Sequence, residues 1–274
     1  MKKNWISYPY VVWMIIFTLV PLVLVIYYSV VSVTDNGIAL TLQHFKKVFE
    51  PIYIIVFLRS IKLALISTAV CLVLGYPMAM ILADRGLSKR NILIVLFVIP
   101  MWMNFLARTY AWMTLLEKNG PIETMLSNLG LPPLGILYTE KAVILGMVYN
   151  FLPFMVLPIY SVLSKTEKHI VEAAEDLGAT PYIKFKRIIF PLSLPGVISG
   201  ITMVFMPAVT TFVISELLGG SQYTLIGNLI ERQFLGTMDW GFGSALSIVL
   251  MLLILLSMGV MSRYEKENEG GGLW

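Results

Sequence analysis

Glu172-Ala173-Ala174, Gly178 and Pro181 stand in the one concentration of charged and turn-forming residues of a chain that is otherwise strongly apolar. The chemistry such a segment offers is non-covalent. Ala173 and Ala174 are small enough to let another chain approach closely. Glu172, Glu175 and Asp176, with Lys184, Lys186 and Arg187 further on, offer ion pairs. No nucleophile and base stand at a workable spacing, and the sequence contains no Gly-x-x-x-x-Gly-Lys-Ser/Thr phosphate loop. His44 and His169 are isolated, without metal-ligand spacing. Cys71 is the single cysteine and lies inside an apolar stretch, which argues against a disulfide framework and a thiolate metal site. The sequence therefore predicts no catalytic residue, no metal and no cofactor.

The residue order predicts two short helices joined at Gly178. Ser164-Lys165-Thr166-Glu167 has the form of a capping box. Ile170, Ala173, Ala174 and Leu177 repeat at i, i+3, i+4 and i+7, one helical face. Gly178 stands where a left-handed residue after the helix is wanted. Thr180-Pro181 supplies a cap and a first-turn proline for the second helix. Pro191 is expected to end that helix, before Pro195-Gly196 opens the next apolar stretch. Physics alone leaves two readings open. One is a docking surface for a soluble partner; the other is a hairpin lying on the lipid surface, its basic residues toward anionic headgroups.

The surrounding composition leaves one class. Of 274 residues 58% are hydrophobic and 13% charged, and the mean hydropathy is +0.82. A soluble domain is far more polar, so this is an integral membrane protein. Residues 11–33, 61–83, 92–106 with a continuation toward 116, 142–163, 192–214 and 245–261 each approach the ~20 apolar residues a span needs. The pattern predicts an all-α protein with roughly six transmembrane helices, not a barrel. The first stretch is too long for a signal-peptide core and reads as a retained span. Lys and Arg collect on the side of the N-terminus, most clearly at Arg85, Lys89 and Arg90. That bias puts both termini and the Glu172 segment in the cytoplasm. Residues 34–60, 117–141 and 216–242 then lie outside, where turn signals alternating with apolar residues predict ordered surfaces for an outside partner. Prolines 21, 77, 100, 153, 158 and 207 predict kinks. Residues 1–264 read as one membrane domain with a cytoplasmic loop at 165–191, and 265–274 as a disordered tail.

The spacing Glu-Ala-Ala, three residues, Gly, nine residues, Ile, one residue, a large apolar residue, Pro is met at Glu172-Ala173-Ala174, Gly178, Ile188 and Phe190-Pro191. It resembles the EAA loop of the permease subunits of bacterial binding-protein-dependent ABC importers, with Phe190 where that family usually has Leu. Leu74-Gly75-Tyr76-Pro77, Ile99-Pro100-Met101-Trp102-Met103-Asn104 with Arg108, Leu152-Pro153-Phe154-Met155, and Ser215-Glu216-Leu217-Leu218-Gly219-Gly220 with Leu225-Ile226-Gly227-Asn228 are similar to the spermidine/putrescine, PotB-type, branch. The resemblance implies a MetI-like type I importer permease fold in the bacterial inner membrane, surrounded by lipid. It implies a cytoplasmic ATPase dimer that hydrolyses the ATP, a second homologous permease, an extracytoplasmic solute-binding protein, and no nucleic acid. It assigns ATPase coupling to Glu172, Ala173, Ala174, Gly178 and Pro181, on a helix seated in a cleft of the ATPase.

A polyamine carries several ammonium groups on an apolar chain. Its path needs carboxylates or carbonyls, aromatic faces for cation–π contact, and a hold weak enough for release. Helical rise puts Trp102 and Asn104 near mid-depth of the third stretch. Trp102 is a candidate for stacking on the solute, and Asn104 is a polar group that needs a partner at depth. Glu216 is a candidate to attract the cation at the outer mouth, with Thr211 and Phe212 lining the same cavity. Arg108 would repel such a solute and is expected to pair with an acid or bond helix-end carbonyls. Tyr223 and Asn228 are expected to meet the binding protein. Two alternatives stand beside this reading: the same fold moving an anion or metal chelate, and an ion-driven transporter. The second is disfavoured because the charges cluster at helix ends and loops, not in midplane pairs.

Overall fold

The computed structural model describes residues 8–34, 37–84, 90–166 and 168–270. The basic residues Lys2, Lys3, Arg85 and Lys89 and the Glu167 of the expected capping box lie outside them. In chain order the elements are helix α1 (Tyr8–Val30), strands β1 (Val31–Thr34) and β2 (Gly37–Leu40), α2 (Gln43–Val48), α3 (Pro51–Ala83), α4 (Arg90–Val98), α5 (Phe105–Leu116), α6 (Pro121–Asn128), α7 (Glu140–Lys165), α8 (Lys168–Asp176), α9 (Pro181–Thr210), α10 (Val213–Gly219), α11 (Ile226–Glu231) and α12 (Trp240–Gly270). Among the described residues the regular structure is helical apart from one antiparallel pair of strands, in which Val31 faces Leu40 and Thr34 faces Gly37. Among the described residues, α1, α3, α7, α9 and the apolar part of α12 are long and apolar enough to span a membrane. A sixth span exists only as a broken pair, Ile92–Trp102 with Phe105–Asn128, bent by 91°.

Several expectations about element ends change. Helix α3 starts at Pro51, well before residue 61, because proline suits a first helical position and no breaker follows it until Pro77. The helix that contains Pro191 does not stop there. It widens into a π turn at Phe185–Ile189, closed by the Phe190 N–H on the Phe185 carbonyl, and runs on to Thr210. A π turn just ahead of a proline absorbs the lost hydrogen bond and the ring clash. The same device, Ile15–Leu19, precedes Pro21 in α1. Helix α12 continues past residue 264 to Gly270, since the Glu- and Lys-rich run before the glycines favours helix.

The chain divides into two compact units. One comprises Met1–Leu58 and Ile226–Leu256. Its centre is the fully buried Phe242, with the Tyr53 ring centroid at 4.8 Å and the Lys47 ammonium 4.2 Å from the Phe242 centroid. Lys47 also pairs with Asp239 at 3.5 Å. Helix α1 exposes apolar side chains along most of its length, as a lipid-facing helix does.

The other unit comprises Arg59–Leu225 and Ser257–Trp274 and holds the coupling and substrate-path candidates. Its core is the pair α7 and α9, brought close by glycines. A Cβ on Gly196 would lie 2.9 Å from the Pro158 carbonyl oxygen, and one on Gly200 would lie 2.8 Å from Met155 Sδ. Gly196-x-x-x-Gly200 is thus a small-residue stripe of the kind that lets membrane helices touch backbone to backbone. A Cβ on Gly75 of α3 would likewise lie 3.1 Å from Met155 and 3.2 Å from Val156.

Candidate functional site

The Glu172 segment is a helix, a left-handed turn and a second helix. Gly178 has φ +78°, its N–H donates to the Glu175 carbonyl at 2.9 Å, and the Ala179 N–H donates to the Ala174 carbonyl at 2.9 Å. That pair of bonds is a Schellman cap. The two positions that face one another across such a cap, Ala174 and Ala179, are both alanine, and Ala174 is buried. Thr180 then caps the next helix, its Oγ1 accepting from the Ile183 N–H at 3.4 Å, with Pro181 in the first turn. A Lys184–Glu175 ion pair ties the two helices together. The turn chemistry at Gly178, Thr180 and Pro181 is as the sequence predicts. The capping box is not: Ser164 lies inside α7 with its Oγ donating to the Ser161 carbonyl, and Thr166 is that helix's C-terminal cap. Helix α7 persists one turn longer than a box at Ser164 allows.

Of the apolar face Ile170, Ala173, Ala174, Leu177, only Ala174 is buried. Leu177 is 89% exposed and Tyr182 69%. Around Leu177 stand the exposed Glu172, Glu175 and Asp176. An exposed apolar residue that follows Glu175 and Asp176 in the chain, with Ala173 exposed as well, suits a protein cleft.

An aromatic cluster anchors this segment to α3. The Tyr76 ring lies 5.7 Å from Phe185 and 6.0 Å from Phe190. The Ser193 hydroxyl donates to the Phe190 carbonyl at 2.8 Å, so the Tyr76 hydroxyl, 2.8 Å from Ser193 Oγ, is the donor in that second bond. Sequence reasoning missed Leu177, Tyr182 and Tyr76. The signal available for Tyr76 was its place beside a proline inside a span.

The second group of candidates gathers at two helix breaks. Before Asn104 the chain turns through a 3-10 segment, Ile99–Trp102, and Asn104 begins α5, its Oδ1 accepting from the N–H groups of Leu106 at 2.8 Å and Ala107 at 3.3 Å. Asn104 therefore finds its partner in its own helix start. Trp102, at the break, is 83% exposed and packs into no core of this chain. The other break is at Thr211-Phe212, between α9 and α10, where Thr211 is extended with ψ 139° and buried. Phe212 is exposed, and its carbonyl accepts from the Glu216 N–H at 2.9 Å and the Ser215 hydroxyl at 3.0 Å. Glu216 is exposed on α10. So Thr211, Phe212 and Glu216 do not share one continuous helix, because the span ends at Thr210.

The two half-helices that follow the breaks, α5 and α10, pack on each other, and α10 packs on α7 as well. A Cβ on Gly146 of α7 would lie 2.4 Å from Leu218 and 2.9 Å from Ile214, so this contact too needs glycine. The structure thus joins the elements carrying Asn104, Thr211, Phe212 and Glu216, and leaves Trp102 on the surface.

Two further expectations change, those for Arg108 and Asn228. Arg108 is buried, and its Nε has no hydrogen-bond partner among the described residues, so neither an acid nor a helix-end carbonyl receives it. Asn228 is fully buried inside α11 and presents nothing to a partner. Tyr223 is half-buried under Arg59, whose guanidinium carbon lies 5.9 Å from the ring centroid while its Nη1 donates to the Gln222 carbonyl at 3.3 Å.

A family model described as the binding-protein-dependent transport system inner membrane component matches residues 72–268. The spermidine/putrescine transport system permease protein PotB of Haemophilus influenzae is 40% identical over 261 residues, 93% of this chain and 91% of its own. That of Escherichia coli K12 is 41% identical over 259 residues, 93% of this chain and 94% of its own. A solved bacterial alginate ABC transporter, in complex with an alginate pentasaccharide-bound periplasmic protein, shares the fold with a TM-score of 0.75 at 20% identity, over 97% of this chain and 96% of its own.

Proposed function

The chain belongs to the family of binding-protein-dependent transport system inner membrane components, and from that premise we propose that it is the permease subunit of an ATP-driven importer carrying polyamines, spermidine and putrescine, across the bacterial plasma membrane. It is a multi-pass membrane protein and catalyses no reaction; ATP is hydrolysed on a separate subunit. Its partners are an ATPase dimer at the Glu172 segment, a second permease, and a solute-binding protein on the opposite face. Both termini lie in the cytoplasm with the ATPase.

The observation that carries this reading is the Glu172 segment. Its Schellman cap, its Lys184–Glu175 pair and the Tyr76 cluster fix an exposed Leu177 tip on the end of α9. Closure of an ATPase dimer on that tip moves α9 as a rod. At the far end of the rod lies the Thr211-Phe212 break, which sets an exposed aromatic ring, Phe212, beside the start of α10. Broken helices of this kind recur at transporter binding sites near mid-bilayer. Glu216 adds a carboxylate beyond the break.

Uptake of labelled spermidine by cells tests the coupling residue directly. Glu172→Ala is expected to abolish ATP-driven uptake while the protein remains in the membrane. Normal uptake by that variant removes Glu172 from the coupling contact.

A further inference from the structure

The unit centred on Phe242 carries a cavity of about 480 Å³. Small ligands are held in cavities of about 300–1,000 Å³. The last turn of α1 gives the wall Tyr28, β1 gives Ser32, α2 gives His44, and the turn into α12 gives Asp239 and Trp240. The Tyr28 and Trp240 ring centroids are 5.9 Å apart, with the rings inclined at 48°. Each has a further ring against it, Tyr27 at 5.6 Å from Tyr28 and Phe234 at 5.5 Å from Trp240. Tyr28 is 39% exposed and Trp240 50%, so the two rings are held in place and still accessible.

Asp239 adds a carboxylate to the wall. Its Oδ1 accepts from the Phe242 N–H at 3.0 Å, which caps α12, and its Oδ2 lies 3.5 Å from the Lys47 ammonium. Lys47 does not line the cavity, yet it displays what this part of the fold holds: a primary ammonium set between a carboxylate and an aromatic face, here the Phe242 ring at 4.2 Å. The cavity offers that combination a second time, with Tyr28 and Trp240 in place of Phe242 and the Ser32 hydroxyl as a further acceptor. The Asp239 side chain remains 35% exposed beside Lys47, so its carboxylate has room for a second cation. An anion has no such fit, since a carboxylate and the negative faces of aromatic rings both repel it.

We infer that this cavity binds a primary alkylammonium group, its N–H bonds going to Asp239 and Ser32 and its charge lying against Tyr28 and Trp240. A free polyamine and the headgroup of phosphatidylethanolamine both carry that group. Tyr28 and Trp240 stand at the ends of two spans, where tyrosine and tryptophan meet lipid headgroups. The cavity lies at the end of α1 away from the N-terminus, and it is the importer reading that makes this the outer face, where a polyamine arrives. The hold is weak by construction, because Lys47 competes for the Asp239 charge. That competition fixes the sign of each substitution: loss of the carboxylate weakens binding, and loss of Lys47 tightens it.

The test uses the chain with its co-purifying subunits in a maltoside detergent, which contains no amine. Putrescine and, separately, detergent-solubilised phosphatidylethanolamine are titrated in. Binding is read as the change in tryptophan fluorescence that Trp240→Phe abolishes. Saturable binding of at least one of the two is expected. A response to putrescine alone assigns the cavity to free polyamine, and a response to phosphatidylethanolamine alone assigns it to the lipid headgroup. Asp239→Asn keeps an oxygen to cap Phe242 and is expected to weaken binding about two- to fivefold, the worth of an exposed ion pair. Tyr28→Leu removes a ring face and is expected to weaken it by a similar factor. Lys47→Gln is expected to tighten it by about as much. No Trp240-dependent response to either ligand, or equal affinity in wild type and Asp239→Asn, overturns the inference. So does a Lys47→Gln protein that binds as weakly as Asp239→Asn, because the Lys47–Asp239 pair then serves the fold and not the ligand. ATP-dependent spermidine uptake by the same complex in liposomes judges the importer reading separately: its absence in wild type refutes that reading and leaves the binding result standing.

Discussion

Replacing Gly178 by asparagine, alanine or valine separates its backbone role from its size. Its φ of +78° lies in the left-handed region, where a β-carbon costs about 1–2 kcal/mol. A Cβ built on Gly178 would meet nothing within 4 Å, so crowding adds nothing and the cost is the backbone's alone. Alanine is therefore expected to weaken the cap by about 1–2 kcal/mol, a factor of roughly 5–30 in the population of the formed turn. Asparagine tolerates the left-handed region and loses less; valine, branched at Cβ, loses most. What is lost is local: the two 2.9 Å cap bonds and the posture of Leu177. The tip is exposed and stands apart from the α7–α9 core, so the amount of protein in the membrane stays unchanged in all three. ATP-driven uptake of labelled spermidine into membrane vesicles, normalised to the protein present, reads the effect. The expected order of uptake is wild type, asparagine, alanine, valine. Equal uptake in all four proteins refutes the claim that the capped turn transmits the ATPase stroke. An asparagine variant as poor as valine refutes the backbone explanation.

Gly200→Leu drives a side chain into Met155, whose Sδ lies 2.8 Å and carbonyl oxygen 3.1 Å from the Cβ position. It is expected to destabilise the α7–α9 pair by about 1–3 kcal/mol, the usual cost of overpacking. A thermal midpoint in detergent equal to that of wild type would contradict the close approach. Glu216→Gln removes an exposed carboxylate beyond the Thr211-Phe212 break. An exposed pair is worth up to about 1 kcal/mol, so spermidine uptake should fall by up to about fivefold. Unchanged kinetics would take Glu216 off the path.

What the sequence disclosed follows the range of the forces involved. Gly178 and Thr180-Pro181 were legible because caps and left-handed turns are decided within five residues. The breaks at Asn104 and Thr211-Phe212 were not, because hydropathy sums apolar content and is blind to bond direction. Asn104 did carry a readable sign, an N-cap side chain directly before Phe-Leu-Ala. Pro191 misled for a physical reason: a π turn upstream lets a helix pass a proline that a regular helix cannot. Arg108 is a long-range matter, defined by a partner it lacks on other helices, and no spacing in the chain announces that.

In the proposed coupling, the continuity of α9 ties the two halves of the site into one device. Thirty residues from Pro181 to Thr210 form a rod about 45 Å long. Its first turn is capped by Thr180 and clamped to the Leu177 tip by Glu175 and Lys184; its last residue abuts the Thr211-Phe212 break. A rod needs a pivot. Gly196 and Gly200, seated on the α7 backbone, hold its middle where small side chains allow sliding without a lock of interdigitated branches. The π turn at Phe185–Ile189 is the softer place, yet Tyr76 of α3 holds Phe185, Phe190 and Ser193 of α9 at and just beyond it. Motion at the tip is therefore delivered past the π turn and not absorbed in it. It emerges at α10, the half-helix that packs on both α5 and α7.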